Sequence, residues 1–464
     1  MTRSCIIVAT SMAVILMALS FMPIGASADE EMEYRSWSML NGDARHSGIS
    51  QYVMEEVIED VLWDRSLEAA PTQDIAIGPD GTIYIVEGTE IDGLMPDGQW
   101  SWTYEADGPI SSSVAIDKEG VAYFIVNDTA TNAKTMVAID HEGAFLWENG
   151  FTYAVNGTFR TVEHVSSPVI APNGRVFFTA LVAPDSESEE NDQALYAVWN
   201  EEGLVYSLIF DLDSEEGTSG ISTLDPAISD DGLIIFVGGN TIIAVTEVDL
   251  PLWTYDLPGS ENSTVELISD VSIDHEGNCY FIGGEVLYSL DGNGEPRWTY
   301  GVQGSGDFEI SSVGSEGITV ETSEGGHLRS IIKISTDGDM EWSYDLDVET
   351  SSGDATVVTA NGMTLVCGND AIVAVAPNGT ELWRTAAAAP DDEEMTRTFW
   401  CPVLGDNDTL YMFAYEDGEY YVYSVGNWLD EAVYDLVMLF SLAFAPFFII
   451  AACYFYFKEE EPKK

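Results

Sequence analysis

Apolar positions along most of the chain fall in short paired runs separated by a polar turn. The pattern reads IAIGPDGTIYIV from Ile75 and VAIDKEGVAYFIV from Val114, then VIAPNGRVFFTA from Val169 and AISDDGLIIFVG from Ala227. It returns as VSIDHEGNCYFIG from Val271, VGSEGITVE from Val313, VTANGMTLVCG from Val358 and VLGDNDTLYMFAY from Val403. The runs are rich in β-branched and aromatic residues, as strands are. Glycine holds the turn in seven of the eight copies, and Asn407-Asp408 replaces it in the last. Two-residue hairpin turns need φ > 0, which Gly and Asn reach at low cost, so each copy predicts a hairpin.

A second paired run follows each of the first seven: LMPDGQWSWTY, AIDHEGAFLWEN, AVWNEEGLVYSL, AVTEVDLPLWTY, SLDGNGEPRWTY, KISTDGDMEWSY and AVAPNGTELWRT. Trp102, Trp147, Trp253, Trp298, Trp342 and Trp383 share one position in it, with Tyr206 standing in once. Two hairpins per repeat of about 40 to 58 residues make a four-stranded antiparallel blade, and a series of blades makes a β-propeller. Trp63, in VLWDRSL, precedes the first full repeat, while the last repeat ends after YYVYSVG without a Trp. If the Trp63 strand pairs as the outer strand of the last blade, the ring closes with no edge left over. The expected fold is therefore all-β, an eight-bladed propeller. Seven blades is the alternative, should the stretch between Ser207 and Thr223 or the last repeat not form a blade.

The two ends read differently. Arg3, the apolar run Cys5 to Leu19 and the small residues Ala26, Ser27 and Ala28 have the layout of a cleaved secretory signal, residues 1–28. Leu436 to Phe457 carries no charge and is long enough to cross a hydrocarbon core of about 30 Å as a helix. Trp428, Tyr434, Tyr454 and Tyr456 flank it as interfacial anchors, and Lys458, Lys463 and Lys464 favour an inside tail. The expected order is signal (1–28), lead-in segment (29–60), propeller (61–427), juxtamembrane linker (428–435), transmembrane helix (436–457) and cytoplasmic tail (458–464). This is a single-pass cell-membrane protein with its N-terminal domain extracellular. A tail of seven residues after Phe457 suits a tether better than a signalling receptor.

Charge narrows the partners. Asp and Glu number 80 against 16 Lys and Arg, and only Lys118, Lys134 and Lys333 are lysines between Asp29 and Asp430. Such a field repels phosphate backbones, so no nucleic-acid partner is expected. It suits a solvated surface in high salt, where screening blunts self-repulsion. Cys279, Cys367 and Cys401 lack any CxxC spacing, so a zinc site is not indicated. Cys279 and Cys367 read as small buried hydrophobes, with a Cys367–Cys401 bridge between neighbouring repeats as the alternative.

The strand–DG–strand unit followed by DG-x-x-x-W resembles the PQQ-like (quinoprotein) propeller repeat, also seen in the outer-membrane assembly propeller lipoprotein. WSMLNGDARHSGIS, Trp37 to Ser50, looks like the segment that precedes the first strand in that family. The resemblance covers roughly Trp37 to Gly426 and implies inter-blade packing for the repeat Trp residues, Trp63 included. In dehydrogenases of this fold the cofactor sits over the ring centre on a Trp, beneath a disulfide of adjacent cysteines, beside calcium and a catalytic Asp. This chain has no adjacent Cys pair and no recognisable group of calcium ligands, so neither PQQ nor calcium is expected and no catalytic residue carries over.

Other candidates are weighed singly. Asp185, Glu187, Glu189, Glu190 and Asp192 lack the Asp-x-Asp-x-Asp-Gly spacing of a calcium loop and read as a solvated loop. Asn127, Asn156, Asn262, Asn378 and Asn407 head N-glycosylation sequons. His46, His141, His164, His275 and His327 show no ligand spacing. The expected function is a non-enzymatic extracellular binding or scaffolding module for a protein, glycan or cell-envelope component. The rival is a surface oxidoreductase or hydrolase with its site in the central funnel.

Overall fold

The computed structural model describes residues 37–427 except 55–56, 59, 129–132, 152, 156–157, 161, 183–191, 200–203, 211–223, 239, 247–250, 259–268, 302–306, 325–326, 347–355, 369–370, 386–396 and 407. The signal and transmembrane calls, the acidic loop up to Glu190, Asn156, Asn262 and Asn407 lie outside the described residues.

Eight four-stranded blades form, and every repeat contributes one. Blade 1 is Ala76–Ile77, Ile83–Glu87, Glu90–Leu94 and Trp100–Glu105. Blade 2 is Ala115–Ile116, Ala122–Asp128, Ala133–Ile139 and Phe145–Gly150. Blade 3 is Val169–Ile170, Val176–Val182, Asp192–Trp199 and Leu204–Phe210, with Val162–Val165 as an added inner piece. Its outer strand fills the place that the seven-blade alternative left open, and Tyr206 takes the Trp register opposite Ala197. Blade 4 is Ala227–Ile228, Ile234–Gly238, Thr241–Val245 and Pro251–Asp256. Blade 5 is Ser272–Ile273, Cys279–Gly283, Val286–Leu290 and Pro296–Gly301. Blade 6 is Asp307–Gly314, Gly317–Glu324, His327–Ile334 and Met340–Asp345. Blade 7 is Thr356–Val358, Thr364–Cys367, Ile372–Val375 and Glu381–Thr385. Blade 8 joins the two ends of the domain: Arg397–Leu404, Leu410–Glu416 and Glu419–Gly426, then Asp60–Ser66 antiparallel to the last of these.

Blade 6 makes the two-residue turn the sequence suggests, Gly314 pairing with Gly317 across Ser315 and Glu316, but in blades 1 to 5 and 7 the first hairpin is longer. Gly81 N–H bonds to Gly78 O at 3.0 Å and Gly78 N–H to Thr82 O at 2.9 Å, a four-residue turn followed by a left-handed glycine. A type I turn with such a bulge also matches strand twist, which is why glycine is still required. In the eighth copy, where Asp408 stands at the turn glycine's position, Asp408 takes the left-handed conformation, with φ 53°. Asp at the first turn position adds a cap: Asp117 Oδ1 accepts from the N–H of Glu119 and Val121, and Asp274 Oδ1 from Glu276 and Asn278.

The repeat Trp residues join one blade to the next. Indole Nε1 of Trp63, Trp102, Trp253, Trp298 and Trp342 donates to a turn carbonyl of the following blade, at Pro96 (2.9 Å), His141 (2.9 Å), Gly292 (3.0 Å), Thr336 (2.8 Å) and Pro377 (2.7 Å). The turn glycine then lies on the ring. A Cβ added to Gly143 would come within 2.5 Å of Trp102, and one on Gly98 within 2.7 Å of Trp63. This contact explains the DG of the second hairpin. Trp147 faces blade 3, whose equivalent turn is outside the described residues. Trp383 Nε1 is buried without an acceptor. Its neighbour, blade 8, takes its third and fourth strands from opposite ends of the domain, so no turn joins them to receive it.

The closing strand and the joints generate two expectations. Deleting Val61–Leu67 should abolish the single cooperative thermal transition; a cooperative melt retained within a few degrees would show the closing strand to be dispensable. Trp298→Phe and Trp342→Phe should each cost at least about 1 kcal/mol in urea denaturation for the lost hydrogen bond alone. Trp383→Phe, which has no such bond to lose, should cost measurably less.

Candidate functional site: the ring axis

Each blade turns its first strand toward the axis, where the edge N–H and C=O groups have no further strand to pair with. Buried and unpaired, they would be costly. The lead-in segment answers this need blade by blade. Ile77 N–H bonds to Trp37 O (2.8 Å) and Ile116 N–H to Ser38 O (2.8 Å), and Ile170 N–H meets Met39 Sδ (3.3 Å). Ile228 N–H bonds to Ala44 O (2.6 Å), Ile273 N–H to Arg45 O (2.9 Å) and Val313 N–H to Ser47 O (2.7 Å). Ser50 completes the circuit, its N–H bonding to Val358 O (2.7 Å) in blade 7 and its Oγ to Leu404 O (3.4 Å) in blade 8. Fourteen consecutive residues thus touch all eight inner strands in chain order.

The composition of the segment follows from that path. Asn41, Gly42, His46 and Gly48 all have positive φ, which lets the chain coil within the axis. Asp43 pins the coil, accepting from Arg45 N–H and Ser47 N–H through Oδ1 and from Ser47 Oγ and Arg45 guanidinium through Oδ2. Gly48 is pressed against blade 6, where a Cβ would lie 1.9 Å from Ser311 O.

Beside this coil lies a partly open cavity of about 390 Å³. Its walls come mainly from residues just before or within the inner strands: Asp74, Ser113, Ser167, Asp270, Glu309 and Thr356 among them, with Glu321 and Cys401. Trp37, Leu40, Asn41 and Gly48 of the lead-in segment supply the rest. A hydrogen-bonded belt links successive blades. Ser113 N–H donates to Ser167 Oγ (3.2 Å), Ser167 N–H to Asp225 Oδ1 (2.6 Å) and Asp225 N–H to Asp270 Oδ1 (2.8 Å). Farther round, Ser311 and Thr356 share a hydroxyl contact of 2.5 Å, and Thr356 also bonds to Glu321. At the seam, Ile75 N–H meets Cys401 Sγ at 3.2 Å.

Burial pushes Asp225 well above the ordinary carboxylate range; nearby Asp270 adds to the effect and the Ser167 N–H opposes it. Asp270 is raised by burial too, against the pull of His46. Burial lowers His46, which is 2% exposed, while Asp270, Asp43 and the backbone at Val271 draw it back up. Among the described residues that line the cavity there is no Lys, Arg or His. Among the described residues no group of three or more His, Cys, Asp or Glu is placed to hold a metal ion.

The other candidates scatter. Cys279, Cys367 and Cys401 are free and buried, so the Cys367–Cys401 bridge is not made. Both Cys279 and Cys367 sit inside strands, where burial pushes their thiols up to about 12. Asn378 is exposed at a turn of blade 7, where its Oδ1 accepts from Thr380 N–H, and Asn127 is half-buried in blade 2. Asp192 begins a strand of blade 3. His275 pairs with Asp230 at 3.1 Å on the surface, and His141 lends its carbonyl to Trp102. His164 and His327 lie in strands of blades 3 and 6, and His46 belongs to the lead-in segment at the axis.

Residues 238–433 match the family described as outer membrane protein assembly factor BamB. No curated protein matches the chain. Among solved structures, it is similar to a functionally unknown protein from Desulfotomaculum acetoxidans DSM 771, at 11% identity over 66% of this chain and 95% of that one, with a TM-score of 0.37. It is also similar to the dihydro-heme d1 dehydrogenase NirN in complex with DHE, at 14% identity over 72% and 66%, TM-score 0.44. The Dos1 propeller follows at 9% identity over 82% and 84%, TM-score 0.35.

The buried carboxylates give stability a defined pH dependence. With Asp225 and Asp270 raised above an unfolded aspartate at about 3.9, the folded chain holds more protons than the unfolded one from there up to the raised values. Their contribution is full below the unfolded value and is lost as pH rises through the folded values. Glu416, held down by the Arg397 guanidinium at 2.9 Å, acts oppositely and loses its contribution as pH falls. Tm should therefore peak in mild acid and fall as pH rises through the range in which these two carboxylates ionise. Asp225→Asn keeps an oxygen for the Ser167 N–H and should raise Tm in mildly alkaline buffer by about 1 °C or more, as expected for roughly 1 kcal/mol in a domain this large. Scanning calorimetry showing the same slope in Asp225→Asn would exclude this carboxylate as its source.

Proposed function

We propose that this chain, a β-propeller of the PQQ-like family, is a non-enzymatic binding or scaffolding module, exported and tethered at the cell surface by the apolar segment Leu436 to Phe457. The carrying observation is the axis itself. The chain's own lead-in segment is bonded to all eight inner strands there, and what remains is a cavity of about 390 Å³ with polar walls. That volume lies within the range of small-ligand sites, about 300–1,000 Å³.

The lining does not suit the family's redox cofactor. PQQ is a tricarboxylate, and the cavity offers it Asp74, Asp270, Glu309 and Glu321, with no cation among the described lining residues. Like charges at such spacing are repulsive in a site of reduced dielectric. The same carboxylates are what favours a second reading, a hydrolase working in the funnel.

Two measurements separate these readings. Adding PQQ with calcium to the purified full-length chain should leave Tm unchanged and give no dye reduction, and chromogenic ester and glycoside substrates should not turn over. A PQQ-dependent shift with dye reduction, or hydrolysis lost in Asp74→Asn, would overturn the binding-module reading. Protease treatment of intact cells should digest the propeller and spare the anchor; a fully protected propeller would overturn the placement outside.

A further inference from the structure

We propose that the propeller lies against a lipid surface by the face that carries the turns of its first and last hairpins, with the opposite, loop-bearing face turned outward. The inference rests on the reading of Leu436 to Phe457 as a membrane anchor and names the second surface that this anchor brings to the lipid.

Strand direction defines the two faces. Strands alternate in direction within a blade, so the turns joining first to second and third to fourth strands share one face. The hairpins joining second to third strands, and the connections between blades, share the other. Asp74, Ser113 and Ser167 of the axial cavity precede inner strands and so lie toward this loop face.

Three observations converge on the turn face. The first is where the chain leaves the ring. Glu419–Gly426 is the third strand of blade 8, and its Val425 pairs with Leu410, just past the first turn of that blade. The exit is therefore at the turn face. Residues 428–435, even fully extended, span only about 30 Å. A strand as long as Glu419–Gly426 is about 26 Å from end to end, and the closing strand outside it adds about 5 Å of width. A path round the edge to the loop face would exhaust the linker, so the anchor cannot lay that face on the lipid.

The second is the distribution of exposed apolar side chains. Trp100, Phe145, Leu252, Met340 and Leu382, between 45% and 59% exposed, take the first or second position of outer strands in blades 1, 2, 4, 6 and 7. Outer strands start at the turn face. Val53 and Val57 are exposed where the lead-in chain passes from Met54, held by Asn361 in a turn of blade 7, to the start of Asp60–Ser66. Among the described residues with large, exposed apolar side chains, Tyr415 alone lies toward the loop face. Apolar groups gathered on one side of a domain mark a contact surface.

The third is their centring. Blades 6, 7, 1 and 2 flank blade 8, so most of this apolar surface surrounds the point where the chain leaves for the anchor. A soluble partner gives no reason for that arrangement, whereas a lipid surface held there by the anchor does. Indole and aliphatic side chains settle into the headgroup region. The turn residues Asp80, Asp97 and Asp140 share the face, so headgroups without net charge suit it best.

The test reconstitutes the full-length chain in phosphatidylcholine vesicles that carry an acceptor dye on the headgroup. A donor dye is placed on Phe145→Cys at the turn face or on Tyr415→Cys at the loop face, in a Cys5→Ser, Cys453→Ser background, since Cys279, Cys367 and Cys401 are buried. Energy transfer from the first should exceed that from the second at least twofold, although Tyr415 belongs to the anchor's own blade. Trp100→Ser, Met340→Ser and Leu382→Ser together should remove at least half of the excess with Tm unchanged, and phosphatidylglycerol vesicles at low ionic strength should reduce it too. Equal transfer, greater transfer from Tyr415→Cys, or an excess that the serine variant leaves intact would overturn the inference while leaving the tether in place. Cross-linking of Phe145→Cys between copies on the vesicle would give the apolar rim to a second copy and overturn it as well. Release of the chain by sodium carbonate would overturn the tether and the inference together.

Discussion

A ring of blades has an inner edge as well as an outer one, and the inner edge is the harder problem. Outer strands can leave their free backbone groups to water. Inner strands face one another across a narrow axis, where an unpaired N–H loses its water without gaining a partner. Here one peptide segment settles this debt for all eight blades, lending each in turn a backbone or side-chain atom between Trp37 and Ser50. Blade spacing, the coil of left-handed residues and the shape of the cavity all follow from it. The circuit also makes the ring cooperative, because a segment bonded to every blade cannot leave one without disturbing the others.

Between blades the contact is of another kind. An indole lies on a turn glycine and donates to that turn's carbonyl, so each joint combines apolar burial with one directional bond. The glycine is there for two reasons at once: its left-handed φ and the absence of a Cβ where the ring sits. At blade 8 the pattern yields to a stronger demand. Pairing the Trp63 strand with Glu419–Gly426 removes an open sheet edge, and the cost is the missing turn that leaves Trp383 Nε1 unsatisfied. A whole ladder of strand hydrogen bonds outweighs one orphaned indole.

These joints and the closure were legible in the sequence because they repeat, and a pattern seen several times over averages out local accident. The axis was not. Trp37–Ser50 has no periodicity, and each of its bonds goes to a residue far along the chain, so nothing local marks them. The sequence marked it only as resembling the segment that precedes the first strand in the PQQ-like family. Outside blade 6 the turn geometry was misread for a subtler reason, since a two-residue turn and a type I turn with a bulge both ask for glycine. The ring of axial polar groups did leave a trace. Asp74, Ser113, Ser167, Asp225 and Asp270 all stand three residues before the inner-strand Ile that bonds to the lead-in segment: Ile77, Ile116, Ile170, Ile228 and Ile273. Aligning the repeats three residues further upstream would have shown it.

The acidity of the chain divides into parts with different physical meaning. Turn aspartates such as Asp117 and Asp274 cap backbone N–H groups, and their charge is incidental to that work. Lys134 and Lys333, two of the three lysines between Asp29 and Asp430, are withdrawn to 8% and 9% exposure, so they do little to offset the surface field. The axial carboxylates differ from both groups. Asp225 and Asp270 are held in a hydrogen-bonded belt, at a desolvation cost that a merely structural acceptor such as Ser167 Oγ avoids. A hydroxyl would serve the belt as well at those two positions, as Ser167 Oγ does in blade 3. Charge at the axis therefore asks for a reason beyond the fold, and the belt fixes those two side chains before any ligand arrives.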